Sequence, residues 1–397
     1  MSLPPATAEP SASFPVTAVV PPGLEEPGAA ELLALGAAAV RPLRRAVACH
    51  TDLATYYRLH RRARLPFRLL RQLAAFPCRG RDDLHAGVQA AADWDRWLPP
   101  ERSLKVEASG SLPGLNHSHY SALQVKNALV DLQRQRWGAR SAVDLEDPDL
   151  CLHLHLSAGR PGQTPQALLS LDGSGTSLHR RGYRPAMGLA PLKENLAAGL
   201  IALTGWDGSV PLADPLCGSG SLLIEAAAMA LGRAPGLERP FSLQRWPDFD
   251  ADLWQREVAA ARGLARDQLA DGRPLPPLLG LEHDAAVLEQ ARHNAAAAGV
   301  APWLELQRGD CRDFQPPPGP GVLVCNPPYG ERIGEADALE ALYADLGAML
   351  KERCSGWTLW LLSGNPQLTG ALRMKASRRI PVSNGGIDCR WLRYDIR

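Results

Sequence analysis

Four short segments carry residue types that could do chemistry together. The most unusual is LVCNPPYGERIG, Leu323 to Gly334, where an apolar run ends in Asn326, Pro327, Pro328 and Tyr329. Proline lacks a backbone N–H, fixes φ and keeps the residue before it out of the helical region. Asn326 is therefore held extended at a strand tip with its carboxamide aimed. The result is a rigid fixture of one carboxamide, two backbone carbonyls and one flat ring. The second segment, ADPLCGSGSLLIEAA, ends a strand at Asp214 and opens a helix through Gly218, Ser219 and Gly220. In doubly wound sheets ligands sit at the carboxyl ends of strands, and glycines let the backbone approach them. No Gly-Lys-[Ser/Thr] follows, so this is not a P-loop. The third glycine of a dinucleotide fingerprint is replaced by Leu223. In the third segment, LLGLEHD, the strand ends at Glu282, an acid placed to accept from two ribose hydroxyls, and Asp284 is placed to cap the next helix. The fourth, RGDCRDF, puts Asp310 and Cys311 at another strand tip. A carboxylate there can accept from an exocyclic adenine amine.

The elements that must position these residues follow from periodicity. From about residue 185 onward strands and helices alternate: VPLAD, SGSLLIEAAAMALG, PPLLGLE, DAAVLEQARHNAAAAG with Gly299 as its stop, WLELQRGD, GVLVCN, ALEALYADLGAMLKERC and WTLWLLSG. That alternation predicts a doubly wound, mostly parallel sheet. The last residues predict an antiparallel edge hairpin about Asn384-Gly385-Gly386. Ahead of this region the pattern is of small α+β units. A strand, a turn and a helix with Leu32, Leu33 and Leu35 facing inward come first, then a basic helical stretch over 50–75. A helix near 82–94, a strand at SLKVEAS, a helix at SALQVKNALVDLQRQRWG and a strand at LCLHLHLS follow. The boundary is expected in the Gly/Pro/Gln loop near 157–162, with Asp172 to Gly175 as a hairpin turn beyond it.

The 397 residues carry a net charge of +1, so partners must be read from local charge. Nine arginines lie between Arg41 and Arg71 against one acid, Asp52. Such a run is either one face of a nucleic-acid binder or a solvated helix. The eight cysteines contain no Cys-x-x-Cys pair, which fits a reduced, cytoplasmic protein without a disulfide framework. No stretch reaches membrane-spanning length. No basic residue precedes Arg41, so neither a signal peptide nor a transit signal is predicted.

The order of Gly-rich turn, ribose acid, adenine acid and Asn-Pro-Pro-Tyr resembles the S-adenosylmethionine-dependent methyltransferases that modify planar exocyclic or amide nitrogens. The longer segments HRRGYRPAMGLAPLKENLAA, DPLCGSGSLLIEAA, APGLERPFSLQRWPDFDADLW and NPPYGERIG are similar to the bacterial 23S rRNA guanine-N2 methyltransferases of the RlmL type. The resemblance implies a Rossmann-like class I methyltransferase domain over 158–397. It also implies a ferredoxin-like segment over 15–49 and a THUMP RNA-binding domain over 50–157; the Pro/Ala/Ser-rich residues 1–14 are expected to be a disordered tail. It implies S-adenosylmethionine as cofactor, contacted by Asp214, Gly218, Ser219, Gly220, Glu282, Asp310 and Cys311, with Asn326 to Tyr329 as the catalytic loop. In that loop Asn326 Oδ1 and the Pro327 carbonyl would accept from the amine, and Tyr329 would stack on the base. The implied partner is structured RNA, 23S rRNA or a large-subunit assembly intermediate. Rival readings are a tRNA guanine-N2 methyltransferase, an N6-adenine methyltransferase and a non-catalytic assembly factor. The family usually has Asp where Glu282 stands, and often an acid where Asn127 stands. Some members carry a second methyltransferase domain, whose activity is not expected of a chain ending at Arg397.

Several other residues have two readings. Arg180, Arg181, Arg184 and Lys193 either hold RNA phosphates or hold the adjoining loop. Trp246, Phe249 and Trp254 either cover the cofactor or stack on a base, or they fill a core. Cys217 and Cys325 flank the motifs but read as small hydrophobes. Cys151, His153 and His155 alternate along one strand face without a fourth ligand, so no metal is expected.

Overall fold

The computed structural model describes residues 13–159, 162–184, 192–270, 274–328 and 336–397. Tyr329 and the 1–12 part of the expected tail lie outside the described residues. Two seven-stranded sheets organise the rest.

The first sheet is built by β1 (Phe14–Val19), α1 (Glu25–Ala34), β2 (Ala38–Leu43), β3 (Ala46–Thr51), α2 (Leu53–Arg62) and β4 (Arg68–Pro77). It continues with α3 (Arg81–Ala90), the single turn α4 (Trp94–Trp97), β5 (Leu104–Gly110), α5 (Ser118–Trp137), β6 (Leu150–Ser157) and β7 (Gln166–Asp172). Its order is β2-β3-β1-β4-β7-β6-β5, antiparallel except for β5 with β6. Several expectations change here. The helical stretch predicted over 50–75 is a helix only to Arg62; Pro66 ends it, and Arg68 onward is the central strand β4. Leu69, Leu70 and Leu73 mimic a helical spacing, which conceals that strand. β7 pairs with β4 and β6, so it belongs to this sheet and not to the unit that follows. β7 thus joins the first sheet although it follows the expected boundary at 157–162, and the expected boundary at 49–50 falls inside β3. No hairpin forms at Asp172 to Gly175: the carboxylate of Asp172 accepts from Ser174 N at 2.9 Å, and none of residues 173–184 lies in a strand. In α1, Leu32 and Leu35 are buried and Leu33 is 63% exposed, as helical geometry requires of a residue one step off the buried stripe.

The second sheet is built by α6 (Glu194–Thr204), β8 (Leu212–Asp214), α7 (Ser221–Ala230), α8 (Ala251–Ala270), β9 (Leu278–Glu282), α9 (Ala285–Ala297) and β10 (Glu305–Arg308). Then come β11 (Val322–Cys325), α10 (Ala336–Arg353), β12 (Thr358–Ser363), α11 (Pro366–Ala371), β13 (Arg378–Asn384) and β14 (Ile387–Asp395). Its order is β10-β9-β8-β11-β12-β14-β13, parallel until β14. The alternation read from the sequence is present throughout. Asp284 caps α9, accepting from Ala286 N at 2.8 Å. The β13–β14 turn is Gly385-Gly386, both at positive φ, as a two-residue hairpin of this kind requires.

The halves are joined by buried contacts. Leu24, from the β1–α1 turn, is fully buried in the core of the second sheet, against Gly199 of α6. Much of the arginine run makes internal contacts rather than lying on a solvated face. Arg58 pairs with Glu257 at 2.9 Å and Arg71 with Asp248 at 2.5 Å, while Arg68 pairs with Asp172 inside the first sheet. Arg61 lies 3.9 Å over Trp254 and donates to Gly236 O at 2.6 Å. Trp246, Phe249 and Trp254 belong to the core around Tyr56 and Tyr57, which excludes them as a cofactor cover.

Candidate active site

The parallel strands bring the chemistry-bearing segments to one edge. Asp310 follows β10, Glu282 ends β9, Asp214 ends β8 and Asn326 follows β11, on four neighbouring strands. The winding order of the sheet reverses between the parallel strands β8 and β11, where open α/β sheets form their ligand crevice. At about 4.8 Å per strand the four tips span roughly 14 Å.

The Gly-rich turn is held from both sides. Gly218 N donates to Glu282 Oε2 at 3.1 Å, and Cys217 N to Leu281 O at 2.9 Å. The Asn294 amide of α9 donates to Ser219 O at 3.1 Å. Gly218 has φ +53°, and a Cβ there would meet nothing within 4 Å. The turn thus presents bare backbone toward open space. Gly280 has the reverse role: a Cβ on it would meet Leu223, Leu306 and Cys217, so its lack of a side chain lets α7 close onto β9.

The carboxylates differ in state. Asp214 is buried, and burial, with the charge of Glu282 adding to it, pushes its carboxyl up to about 8. Leu216 N donates to it at 3.1 Å. Glu282 is buried and also accepts from Asp284 N at 2.9 Å. Glu282 Oε1 also lies 3.0 Å from His283 Nδ1, so the capacity left for a ligand's donors is on Glu282 Oε2 and on Asp214. Asp310 is held well below the usual carboxylate range by Arg312, at 2.6 Å, and caps the short turn after β10. Cys311 is buried, with its thiol pushed up to about 12 by burial. Cys217 and Cys325 are likewise buried and raised by burial, which suits small apolar fillers and not nucleophiles.

Asn326 stands apart. Its Oδ1 is buried and has no hydrogen-bond partner among the described residues. Pro327 is buried beside it, Pro328 is exposed, and the Pro328 carbonyl faces Tyr343 Oη at 3.5 Å. A buried acceptor left unpaired costs about 1–3 kcal/mol, so the fixture suits a ligand that brings an N–H.

Two of the four cations before α6 turn inward. Arg181 lies 3.6 Å from Glu225 and donates to Leu178 O at 2.7 Å. Arg184 donates to Leu192 O at 3.0 Å and to Ser221 Oγ, at the start of α7. These contacts tie the two guanidinium groups into the protein, while Arg180 and Lys193 are exposed. Glu225 also accepts from Tyr183 Oη at 3.0 Å and pairs with Arg64 of the first half. Sequence reading missed this buried cluster behind the turn; the one available signal was an acid inside the apolar helix LLIEAAAMA. It missed Asn294 as well. Cys151, His153 and His155 lie along one face of β6, opposite Lys105, Glu107 and Ser109 of β5. Among the described residues, no three potential ligands converge on a metal position.

Sheet order and Gly-rich crevice define a Rossmann-like methyltransferase. Comparison with known proteins narrows this. The family described as RMKL-like, methyltransferase domain, matches residues 181–393; the THUMP domain matches 81–160 and the RlmL ferredoxin-like domain 16–70. The chain belongs to the RMKL-like methyltransferase family. It is 44% identical over 383 residues to a Synechocystis protein provisionally named as an RNA methyltransferase, covering 96% of this chain and 97% of that one. It is 40% identical over 388 residues to the ribosomal RNA large subunit methyltransferase K/L of Syntrophotalea carbinolica, covering 96% of this chain and 53% of that protein. It thus spans about half the length of that relative. Among solved structures it is similar to SMU.472, a provisionally assigned methyltransferase complexed with SAH, with TM-score 0.83, 28% identity, and 97% and 98% of the two chains covered.

Proposed function

We propose that this chain transfers a methyl group from S-adenosylmethionine to the exocyclic N2 of a guanine in 23S rRNA. The observation that carries the reading is Asn326 Oδ1, a buried acceptor without a partner among the described residues, at the switch point of the sheet. The names of the ribosomal RNA relatives support the substrate class, and the SAH-bound neighbour supports the methyl donor.

The donor, when bound, supplies an electrophilic methyl on a positively charged sulfur. The residues along the crevice fit it. Glu282 accepts from ribose hydroxyls, Asp310 faces the adenine, and the bare backbone at Gly218 admits close approach. Asp214, ionised once a cation lies beside it, balances positive charge. At the other end Asn326 Oδ1 and the Pro327 carbonyl accept the two amine N–H groups. That points the nitrogen lone pair at the methyl and stabilises charge growing on nitrogen. Tyr329, the residue after the two prolines, stacks on the base. The base reaches this position by leaving its stack, because a paired amine edge cannot meet the methyl in line.

The test is a product analysis. Unmodified 23S rRNA, bulk tRNA and DNA are each incubated with labelled donor and digested to nucleosides. N2-methylguanosine from 23S rRNA is expected. The same nucleoside from tRNA alone would move the substrate, and N6-methyladenine would overturn the reading.

A further inference from the structure

The end of the chain holds cations that the site described above does not use. Arg373, Lys375, Arg378, Arg379 and Arg390 are exposed, and none has a carboxylate within ion-pair distance among the described residues. Two of them, Arg379 of β13 and Arg390 of β14, line a cavity of about 460 Å³. Its floor is apolar: Met374, Leu392 and Tyr394, the last two buried. Asp388 also lines it, as its one carboxylate.

The register places this cavity beside the catalytic fixture. Cys325 of β11 lies opposite Leu361 of β12, which lies opposite Leu392 of β14. Arg390 lies opposite Ser363, two residues further toward the carboxyl edge of the parallel strands. Arg390 therefore stands on the edge that carries Asn326, two strands away, or roughly 10 Å at about 4.8 Å per strand. Arg379 lies opposite Leu392, so it shares that face. An apolar floor with a cationic rim, one nucleotide's reach from the base-holding fixture, has the chemistry of a site for single-stranded nucleic acid.

We infer that the β13–β14 hairpin and the segment before it form the docking groove for the RNA strand flanking the target base. Its phosphates lie on Arg379 and Arg390, and an unstacked flanking base lies over Leu392 and Tyr394. The inference rests on the RNA methyltransferase reading above. It assigns sequence context at the target to the catalytic half, separate from the THUMP domain.

The experiment compares the wild type with the Arg379→Ala/Arg390→Ala double variant on an unmodified 23S rRNA transcript, by binding across a salt series. Loss of two phosphate contacts lowers the slope of log K against log salt by about 1.4, at about 0.7 per contact on a single strand. Affinity should fall about ten-fold at moderate salt, while binding of S-adenosylmethionine stays unchanged as the check on folding. Arg256→Ala/Arg262→Ala, on α8, is the charge-matched control. An unaltered slope in the groove variant, or a drop no larger than the control's, overturns the inference. Should the wild type make no N2-methylguanosine while the groove variant still loses slope, the guanine reading falls and the groove stands.

Discussion

Gly218 N donates to Glu282 Oε2 across 3.1 Å, so the acid that ends one strand also holds the Gly-rich turn that follows its neighbour. One carboxylate thus shapes the crevice and offers lone pairs to a ligand inside it. Asp284 N uses its other oxygen.

Substituting Glu282 should therefore damage binding more than a lost ribose contact would. Glu282→Ala frees both backbone N–H groups and should weaken S-adenosylmethionine about 100-fold, since charged hydrogen bonds contribute about 1.5–3 kcal/mol each. Glu282→Gln has one acceptor oxygen for two donors and should fall between. Calorimetric titration checks the order, and equal affinity across the three proteins would refute the tether.

Asp214 makes the empty protein pH-sensitive. Its carboxyl is pushed up to about 8, far above its value in an unfolded chain. The stabilisation from holding the proton is full at pH 4 and is lost as pH rises through about 8. Stability in denaturant should fall over that window in the wild type and fall less in Asp214→Asn. Parallel pH profiles for the two would contradict the assignment.

Asn326→Ala should separate stability from rate. It removes a buried acceptor that has no partner among the described residues, so the variant should be equal to or up to about 1 kcal/mol more stable than the wild type. Donor affinity should hardly change, while the methyl-transfer rate should fall at least about 100-fold, as when one such transition-state contact is lost. Thermal unfolding and single-turnover kinetics read the two effects. A variant with full rate would remove Asn326 from the mechanism.

Leu24 ties the halves. Its side chain is fully buried against Gly199 in the core of the second sheet. Leu24→Ala should cost about 2–5 kcal/mol, the range for emptying a core position. Denaturant unfolding followed by tryptophan emission measures this, and a loss below about 0.5 kcal/mol would mean the halves do not depend on the contact.

Much of the site was legible because its signals are local. A proline pair stops a strand wherever it stands, a Gly-rich turn opens a helix, and Asp284 caps the residues next to it. That β8 to β12 form a parallel sheet was legible from the alternation of strands and helices. The failures share a cause. β4 reads as helix because its leucines are spaced for burial on both faces. β7 was placed in the wrong half because nothing within a strand records which strand it will pair with.

The arginine run shows the same limit. Composition alone could not separate a nucleic-acid surface from a structural one, and the difference lay in acids far along the chain: Glu257 for Arg58, Asp248 for Arg71, Glu225 for Arg64. The sequence by itself determined the class of chemistry, because aimed carboxamide, bare turn and strand-end acids are properties of short segments. Only the tertiary structure decided which charges are spent inside and which acceptor is left open. Burial and pairing depend on residues more than a hundred positions apart, and the free energy of a charge or a polar atom is set by what surrounds it.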